Sequence, residues 1–192
     1  IPDYAFNGTG LTSLTIPEGI TEIGNSAFSS CGKLDEIVLP DSITTIGDYA
    51  FSGAPLKNMQ TLTLPAELES VGDRAFYRNT DSPNTSITSM VIGEKVTSIG
   101  DHAFYNFQGL KEVDVYAAGL ETVGASAFGD GEHNAYHDGL IEVDGLYYQS
   151  GTEFQIQIED HDTAQAVADK FQNGVNCYTG EVKSLIRDYD ND

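Results

Sequence analysis

The chain has 192 residues, 30 acidic against 9 basic side chains and a net charge of −21, a size for one elongated domain with a small cap. That balance excludes nucleic acid and anionic membrane surfaces as partners, because binding to either needs clustered Lys and Arg. No apolar run approaches the roughly 18 residues of a membrane span, and the acidic residues are spread without a block of five like charges, as on a solvated surface.

Residues 1–10 open on IPDYAF, a damaged copy of a phrase that returns as IGNSAF (23–28), IGDYAF (46–51), VGDRAF (71–76), IGDHAF (99–104) and VGASAF (123–128). Before each full copy stands a second phrase: LTSLTIP from Leu11, LDEIVLP from Leu34, MQTLTLP from Met59, ITSMVIG from Ile87 and LKEVDVY from Leu110. Together they define five repeats that start at residues 11, 34, 59, 87 and 110 and have lengths of 23, 25, 28, 23 and 30. A period in the twenties with aliphatic residues at fixed places marks a solenoid of the leucine-rich-repeat kind. Each unit is too small to bury its own apolar face and must stack on the next.

Within LTSLTIP, Leu14 and Ile16 alternate with Thr15 at the period of a half-buried strand. Pro17 ends that strand because it has no N–H for the ladder. One strand per unit then pairs with its neighbours in a parallel sheet. Ile20 and Ile23 return to the core, Gly24 is assigned to a backbone turn that a side chain would make costly, and Ala-Phe closes the coil. A small residue lets the chain pass near the axis while a ring burying roughly 150 to 250 Å² fills the middle. Phe28, Phe51, Phe76, Phe104 and Phe128 are therefore predicted to form a stacked spine, which is packing and not a binding site.

The strand positions left facing outward are Thr15, Val38, Thr63, Val91 and Asp114 in one row and Ser13, Glu36, Thr61, Ser89 and Glu112 in the next. They make a strip of small and β-branched side chains edged by carboxylates, suited to an extended protein or peptide partner with basic groups. Tyr77, Tyr105, Phe107, Tyr116 and Tyr136 offer either a secondary contact patch or packing under the longer loops.

The composite pattern, Leu-x-x-Ile-x-Ile-Pro, then Val/Ile-Thr-x-Ile-Gly, then Ala-Phe-x-x-Cys, closely resembles the BspA-like leucine-rich repeats of bacterial and protist surface proteins over roughly residues 1 to 150. Cys31 stands at that family's cysteine place, where the later repeats carry Ala54, Asn79, Phe107 and Gly131. The resemblance implies a right-handed superhelix on a secreted or surface-anchored protein, with adhesion or partner binding as its role and no catalytic residues to carry over. The expected fold is a β-rich α/β solenoid with one parallel strand per repeat, short helical turns and a hairpin-plus-helix cap. It divides into a solenoid over 1–139, a capping segment over 140–187 and, over 188–192, an acidic tail or the start of a following module. A chain that opens inside a repeat, without a signal peptide, is expected to be a processed piece of a larger extracellular or cell-surface product.

In the capping segment, strand-like runs at Ile141 to Val143, Leu146 to Gln149 and Phe154 to Ile158 are broken by Asp144-Gly145 and Ser150-Gly151-Thr152, the turn chemistry of successive hairpins. A helix is predicted over 162–172, capped by Asp162 with Gln165 three residues on. Ala164, Val167, Ala168 and Phe171 form its apolar stripe, Asn173-Gly174 stops it, and VNCY follows as a last short strand. The helix is expected to cover the open end of the stack.

Cys31 and Cys177 lie too many coils apart for a disulfide and are expected as free thiols. Two sequons, at Asn7 and Asn84, would be glycan acceptors only in a eukaryotic secretory pathway. His133 and His137, with Glu132 and Asp138 beside them, have His-x-x-x-His spacing, but the surrounding Gly, Asn and Asp residues describe a loop in which the helical geometry for a metal lapses. Asp188, Asp190 and Asp192 match the first ligand positions of a calcium loop whose Gly and closing Glu fall outside the sequence. In EDHD (159–162), His161 lies between carboxylates without a nucleophile nearby. No metal site, cofactor or catalytic group is expected. The function read from the sequence is a non-catalytic protein-binding or adhesion module. Its alternative is a structural spacer or subunit of a surface assembly whose solenoid ends dock on other segments.

Overall fold

The computed structural model describes residues 1–79, 81–129, 140–143, 146–149, 153–158 and 160–172. Each full coil contributes two short strands where the sequence predicted one. The Leu-x-x-Ile phrase forms β1 (Ser13–Thr15), β3 (Glu36–Val38), β5 (Thr61–Thr63), β7 (Ser89–Ile92) and β9 (Glu112–Val115). The Ile-Gly phrase forms β2 (Glu22–Ile23), β4 (Thr45–Ile46), β6 (Ser70–Val71), β8 (Ser98–Ile99) and β10 (Thr122–Val123). The second row runs unbroken as β2-β4-β6-β8-β10, and every strand pair in the coils is parallel. The short helical turns expected inside the coils are non-helical turns at the Ala-Phe corner.

The first row departs from the single ladder expected. It divides into β1-β3 and β5-β7-β9, the second of which β13 (Glu153–Ile156) extends at its β9 edge. The break falls at the 25-residue repeat. The Thr12 carbonyl accepts from Asp35 and the Gln60 carbonyl from Thr88, but the Asp35 carbonyl accepts from Asn58, two residues before Gln60. The two extra residues thus slip the chain out of register just before β5.

The recurring hexad Ile-Gly-x-x-Ala-Phe is explained by where its N–H groups go. Gly47 N–H donates to the Ile23 carbonyl of the preceding coil at 2.8 Å, and Asp48 N–H to the Asn25 side chain at 2.8 Å. From the next residue the direction reverses: Tyr49 N–H donates to Asp73 and Phe51 N–H to Ala75, both in the following coil, at 2.8 and 2.7 Å. The reversal coincides with a left-handed residue. Tyr4, Ser26, Tyr49, Arg74, His102 and Ser126, one per coil, have φ between 51° and 59°, a conformation that costs a non-glycine residue about 1 to 2 kcal/mol and persists because both neighbouring coils bind the backbone around it.

The glycine of the hexad is needed for closeness, which corrects its assignment to a turn. Gly24, Gly47, Gly72, Gly100 and Gly124 do not have positive φ. A methyl group on Gly72 would stand 2.5 Å from Asp48 Oδ1 and 2.6 Å from Asp48 N, and the other four meet the preceding coil as tightly. The atom in the way is part of a side-chain ladder. Asp3, Asn25, Asp48, Asp73 and Asp101 each accept the N–H of the next coil's equivalent residue, at 2.6 to 2.8 Å; the ladder ends at Ala125, which donates its N–H to Asp101 but has no side-chain oxygen to accept the next.

The aromatic spine forms as predicted and is longer by one ring. Phe6, Phe28, Phe51, Phe76, Phe104 and Phe128 stack with centroids 5.1 to 5.3 Å apart and planes within 20° of parallel. The damaged first copy is therefore a working coil. Ala27, Ala50, Ala75, Ala103 and Ala127 are wholly buried beside the rings.

Among its described residues the capping segment holds one hairpin and one surprise. β11 (Leu140–Val143) and β12 (Leu146–Gln149) pair antiparallel, as the sequence suggested. β13 instead pairs parallel with β9, Glu153 opposite Glu112 and Ile156 opposite Val115, and adds a further rung to the solenoid sheet. Helix α1 (His161–Gln172) follows. Its cap is Asp160, not Asp162: Asp160 Oδ2 accepts from Thr163 N–H at 2.8 Å and from the Thr163 hydroxyl, and its carbonyl accepts from Ala164. Gln165 reaches forward to Asp169 at 2.7 Å, so no capping box forms. The predicted stripe of Ala164, Val167, Ala168 and Phe171 is buried. Phe171 meets Phe128 at 6.0 Å and 50°, closing the aromatic column.

Candidate functional site

The strip proposed from the sequence lies on the surface of the first strand row. Ser13, Thr15, Glu36, Val38, Thr61, Thr63 and Glu112 are exposed, and Ser89, Val91 and Asp114 are half-buried. The inward partners Ile37, Leu62, Met90 and Val113 are buried, so the alternation sorts this face as expected. Val38 at 49% exposure is an apolar side chain in the open. Parallel pairing brings Thr61 level with Ser89 and Glu112, and Thr63 level with Val91 and Asp114. Thr61 and Ser89 share a hydroxyl hydrogen bond of 2.8 Å, and Gln157 Nε2 donates to Asp114 Oδ1 at 3.3 Å. The break between β3 and β5 means that Ser13, Thr15, Glu36 and Val38 form one patch and the other six residues a second.

The aromatic residues do not assemble into one exposed patch. Tyr105 and Phe107 are buried, Tyr77 stacks on Tyr105 at 5.1 Å, and Tyr116 is exposed. A different cluster, unread in the sequence, joins them at the left-handed positions. Arg74 donates to the Tyr49 hydroxyl at 2.6 Å, and its guanidinium lies 5.6 and 6.0 Å from the Tyr49 and Tyr77 ring centroids. The bond to Tyr49 raises the Arg74 pKa further. His102 packs against Tyr105 at 5.1 Å with Nδ1 buried and unpaired. Burial, then the charge of Arg74, pushes the His102 pKa down, against a smaller upward pull from Asp101 and Asp73. The only signal for this cluster in the sequence is the second x of the hexad, which changes identity from copy to copy.

The 28-residue repeat builds a cleft of about 740 Å³ where its extra residues leave the coil. Arg78 is the pivot. It takes the place that Ser30, Gly53 and Asn106 hold in other coils, and its N–H still pairs with the Tyr105 carbonyl. Its guanidinium is buried and donates to the carbonyls of Ser82 (2.9 Å) and Gly53. A shallower groove of about 380 Å³ runs along the β2-to-β10 row beside Asp48 and Asp73.

Of the two sequons, Asn7 is exposed and Asn84 is closed to a glycan. Asn84 is 2% exposed, and its side chain donates to the Pro55 carbonyl and accepts from Ser86 and Ile87 N–H. It is a structural staple of the insertion. Cys31 is a buried free thiol with Sγ 3.2 Å from the Phe6 carbonyl. Glu132, His133, Tyr136, His137, Asp138, Cys177, the Asn173-Gly174 stop, the VNCY strand and Asp188, Asp190 and Asp192 lie outside the described residues. Among the described residues no three His, Cys, Asp or Glu side chains converge as a metal site, and no helix is long and apolar enough to cross a membrane.

Comparison with known proteins points one way. The family model for the BspA type leucine rich repeat region matches residues 1–132 in six copies, the same number as the rings of the spine. No curated protein sequence matches the chain. Among solved structures, the pneumococcal vaccine antigen PcpA superposes with a TM-score of 0.54 at 21% identity over 88% of this chain and 35% of that one. A leucine rich cell surface protein from Faecalibacterium prausnitzii is similar at 24% identity, with a TM-score of 0.41, over 67% of this chain and 43% of that one. The chain thus spans less than half the length of either.

Proposed function

We propose, because this chain belongs to the BspA-type leucine-rich-repeat family, that it is the protein-binding module of an extracellular or cell-surface protein and that the first strand row is its contact face. The observation that carries this reading is the outward row itself. Seven of its ten positions are exposed, they are small, β-branched or acidic, and no other element covers them among the described residues. Solenoid sheets offer surfaces long enough for an extended partner. Glu36, Glu112 and the net charge of −21 favour a partner with basic groups, whose encounter they would speed. This role needs no catalytic group.

The test is to pan a displayed library of random extended peptides against the purified chain. Recovered binders are expected to be basic and to lose at least about tenfold in affinity on the triple variant Val38→Lys, Thr63→Lys, Val91→Lys, with melting temperature unchanged. Glu36→Lys with Glu112→Lys is expected mainly to slow association and flatten its salt dependence. Binders that ignore the triple variant would remove the sheet as the contact face.

A structural spacer is the second reading, favoured by parallel strand rows that add one rung per coil; concentration-dependent self-association in light scattering, with no capture of extended peptides, would favour it.

A further inference from the structure

We propose that the cleft built by the third full repeat binds the carboxylate-bearing sugar unit of an acidic saccharide, at a site separate from the sheet face. Arg78 carries the argument. It is only 8% exposed, yet its hydrogen bonds go to two neutral backbone carbonyls, those of Ser82 and Gly53, and among the described residues no carboxylate pairs with it. A buried cation without a counter-charge is costly to keep. Burial is also what pushes its pKa down, with no neighbouring charge opposing the shift. Two of the five guanidinium N–H donors are used on the carbonyls. The others remain for a ligand, in a fork that matches the two oxygens of a carboxylate.

The rest of the wall selects for hydroxyl groups over apolar ones. Ser30, Ser52 and Ser86 line the cleft, and so does Tyr77, whose ring is held by the stack on Tyr105. A second cation stands in the wall: Lys57 is exposed and only loosely paired with Asp35, at 3.9 Å. The volume of about 740 Å³ lies within the roughly 300 to 1,000 Å³ of small-ligand sites and admits one or two sugar rings. Elsewhere the chain's negative field opposes anions, so an acidic ligand is held only where a desolvated cation meets it.

Titration of isotope-labelled chain with glucuronate, glucose and acetate, followed by amide chemical shifts, tests this directly. Glucuronate is expected to move the amides of Tyr77, Arg78, Ser82 and Asn84 saturably. Glucose, which lacks the charge, and acetate, which lacks the ring, should each bind at least about tenfold more weakly. Arg78→Gln should abolish the response, but Arg78 also holds the insertion in place. The companion variant is therefore Ser52→Glu, which sets a carboxylate in the wall without touching the Arg78 bonds and should weaken glucuronate at least about tenfold with a melting temperature equal to or above the parent's, since the new carboxylate offers Arg78 a counter-charge. Glucose or acetate binding as well as glucuronate, an unaltered response in Ser52→Glu, or no saturable shift at those amides would each overturn the proposal.

Discussion

From Leu14 to Phe28, Ile37 to Phe51, Leu62 to Phe76 and Met90 to Phe104 the chain runs the same number of residues, and Val113 to Phe128 one more, placed ahead of the hexad so that the hexad itself never varies in length. The path from each Phe to the next first-row strand, by contrast, lengthens in the 25- and 28-residue repeats. On the constant side the Gly, Asx, left-handed and Phe N–H groups are committed to a neighbouring coil. An inserted residue there would unpair several groups at once. On the variable side the extra residues slip the β3–β5 register and raise the Arg78 insertion, while the second strand row passes beneath unbroken. The division gives the solenoid a rigid seam and a surface free to acquire clefts, as loops on fixed scaffolds generally are.

The largest effect that sharpens this contrast should come from the spine. Phe76→Ala removes a buried ring stacked on both sides, at 5.1 Å from Phe51 and 5.3 Å from Phe104, and is expected to cost about 3 to 5 kcal/mol. Thr63→Ala, exposed on the same repeat, should change stability by less than about 0.5 kcal/mol. Denaturant unfolding checks both, and equal small losses would refute the spine as the principal core.

Gly72→Ala comes next and tests the seam. The new methyl group meets Asp48 N and the Gly47 carbonyl carbon at 2.6 to 2.7 Å, backbone atoms that cannot rotate away, so about 1 to 3 kcal/mol should be lost. Gly119→Ala, with nothing near its methyl position, should be close to neutral. If the two variants melt alike, close approach is not the reason for the hexad glycine.

These two sites also show how far the sequence could be read. The rings were legible because a large apolar side chain at a fixed place in every repeat has one economical home, the axis. The glycine was legible as a constraint but not as the right one: a turn and a close approach look alike in one dimension. Asn25, Asp48, Asp73 and Asp101 recur right after it, and Asp3 follows Pro2 at the same place of the damaged copy; that recurrence was the available clue to the ladder. β13 was read as part of a hairpin because Ser150-Gly151-Thr152 carries only local turn chemistry, while its choice of β9 rests on a distant partner. The cap was misplaced by two residues because EDHD offers acidic side chains at both positions. Of the candidate sites, the strip followed from period-two alternation, but its division at β5 needed the register. The Arg78 cleft had no sequence signal, since a lone arginine in an insertion reads as solvated.

Asn84→Ala breaks the contrast from the other side, because it puts a seam-like cost on a variable segment. The substitution strands the buried Ile87 N–H and the Pro55 carbonyl that Asn84 serves and should cost about 1 to 3 kcal/mol. The amides of 82–87 should exchange faster while those of Gly72 and Phe76 keep their protection. Uniform loss of protection would mean that the insertion and the seam unfold as one unit.

The smallest effect concerns His102, which occupies a left-handed position of the seam and packs on Tyr105 at the start of the variable side. Its folded pKa lies below the ordinary value of 6.5, chiefly through burial and then through Arg74. The folded state therefore binds this proton less readily than the unfolded chain. The sign follows: above 6.5 the neutral imidazole carries no penalty, and as pH falls through that value and through the lower folded pKa, protonation draws the equilibrium toward unfolding. The chain's carboxylates pull the other way, since a net charge of −21 is relieved by acid. The informative quantity is thus the difference between variant and parent. His102→Gln should gain melting temperature relative to the parent between about pH 7 and pH 5 and hold a constant offset above that range. An offset that is the same at every pH would show that His102 contributes to the seam by shape alone.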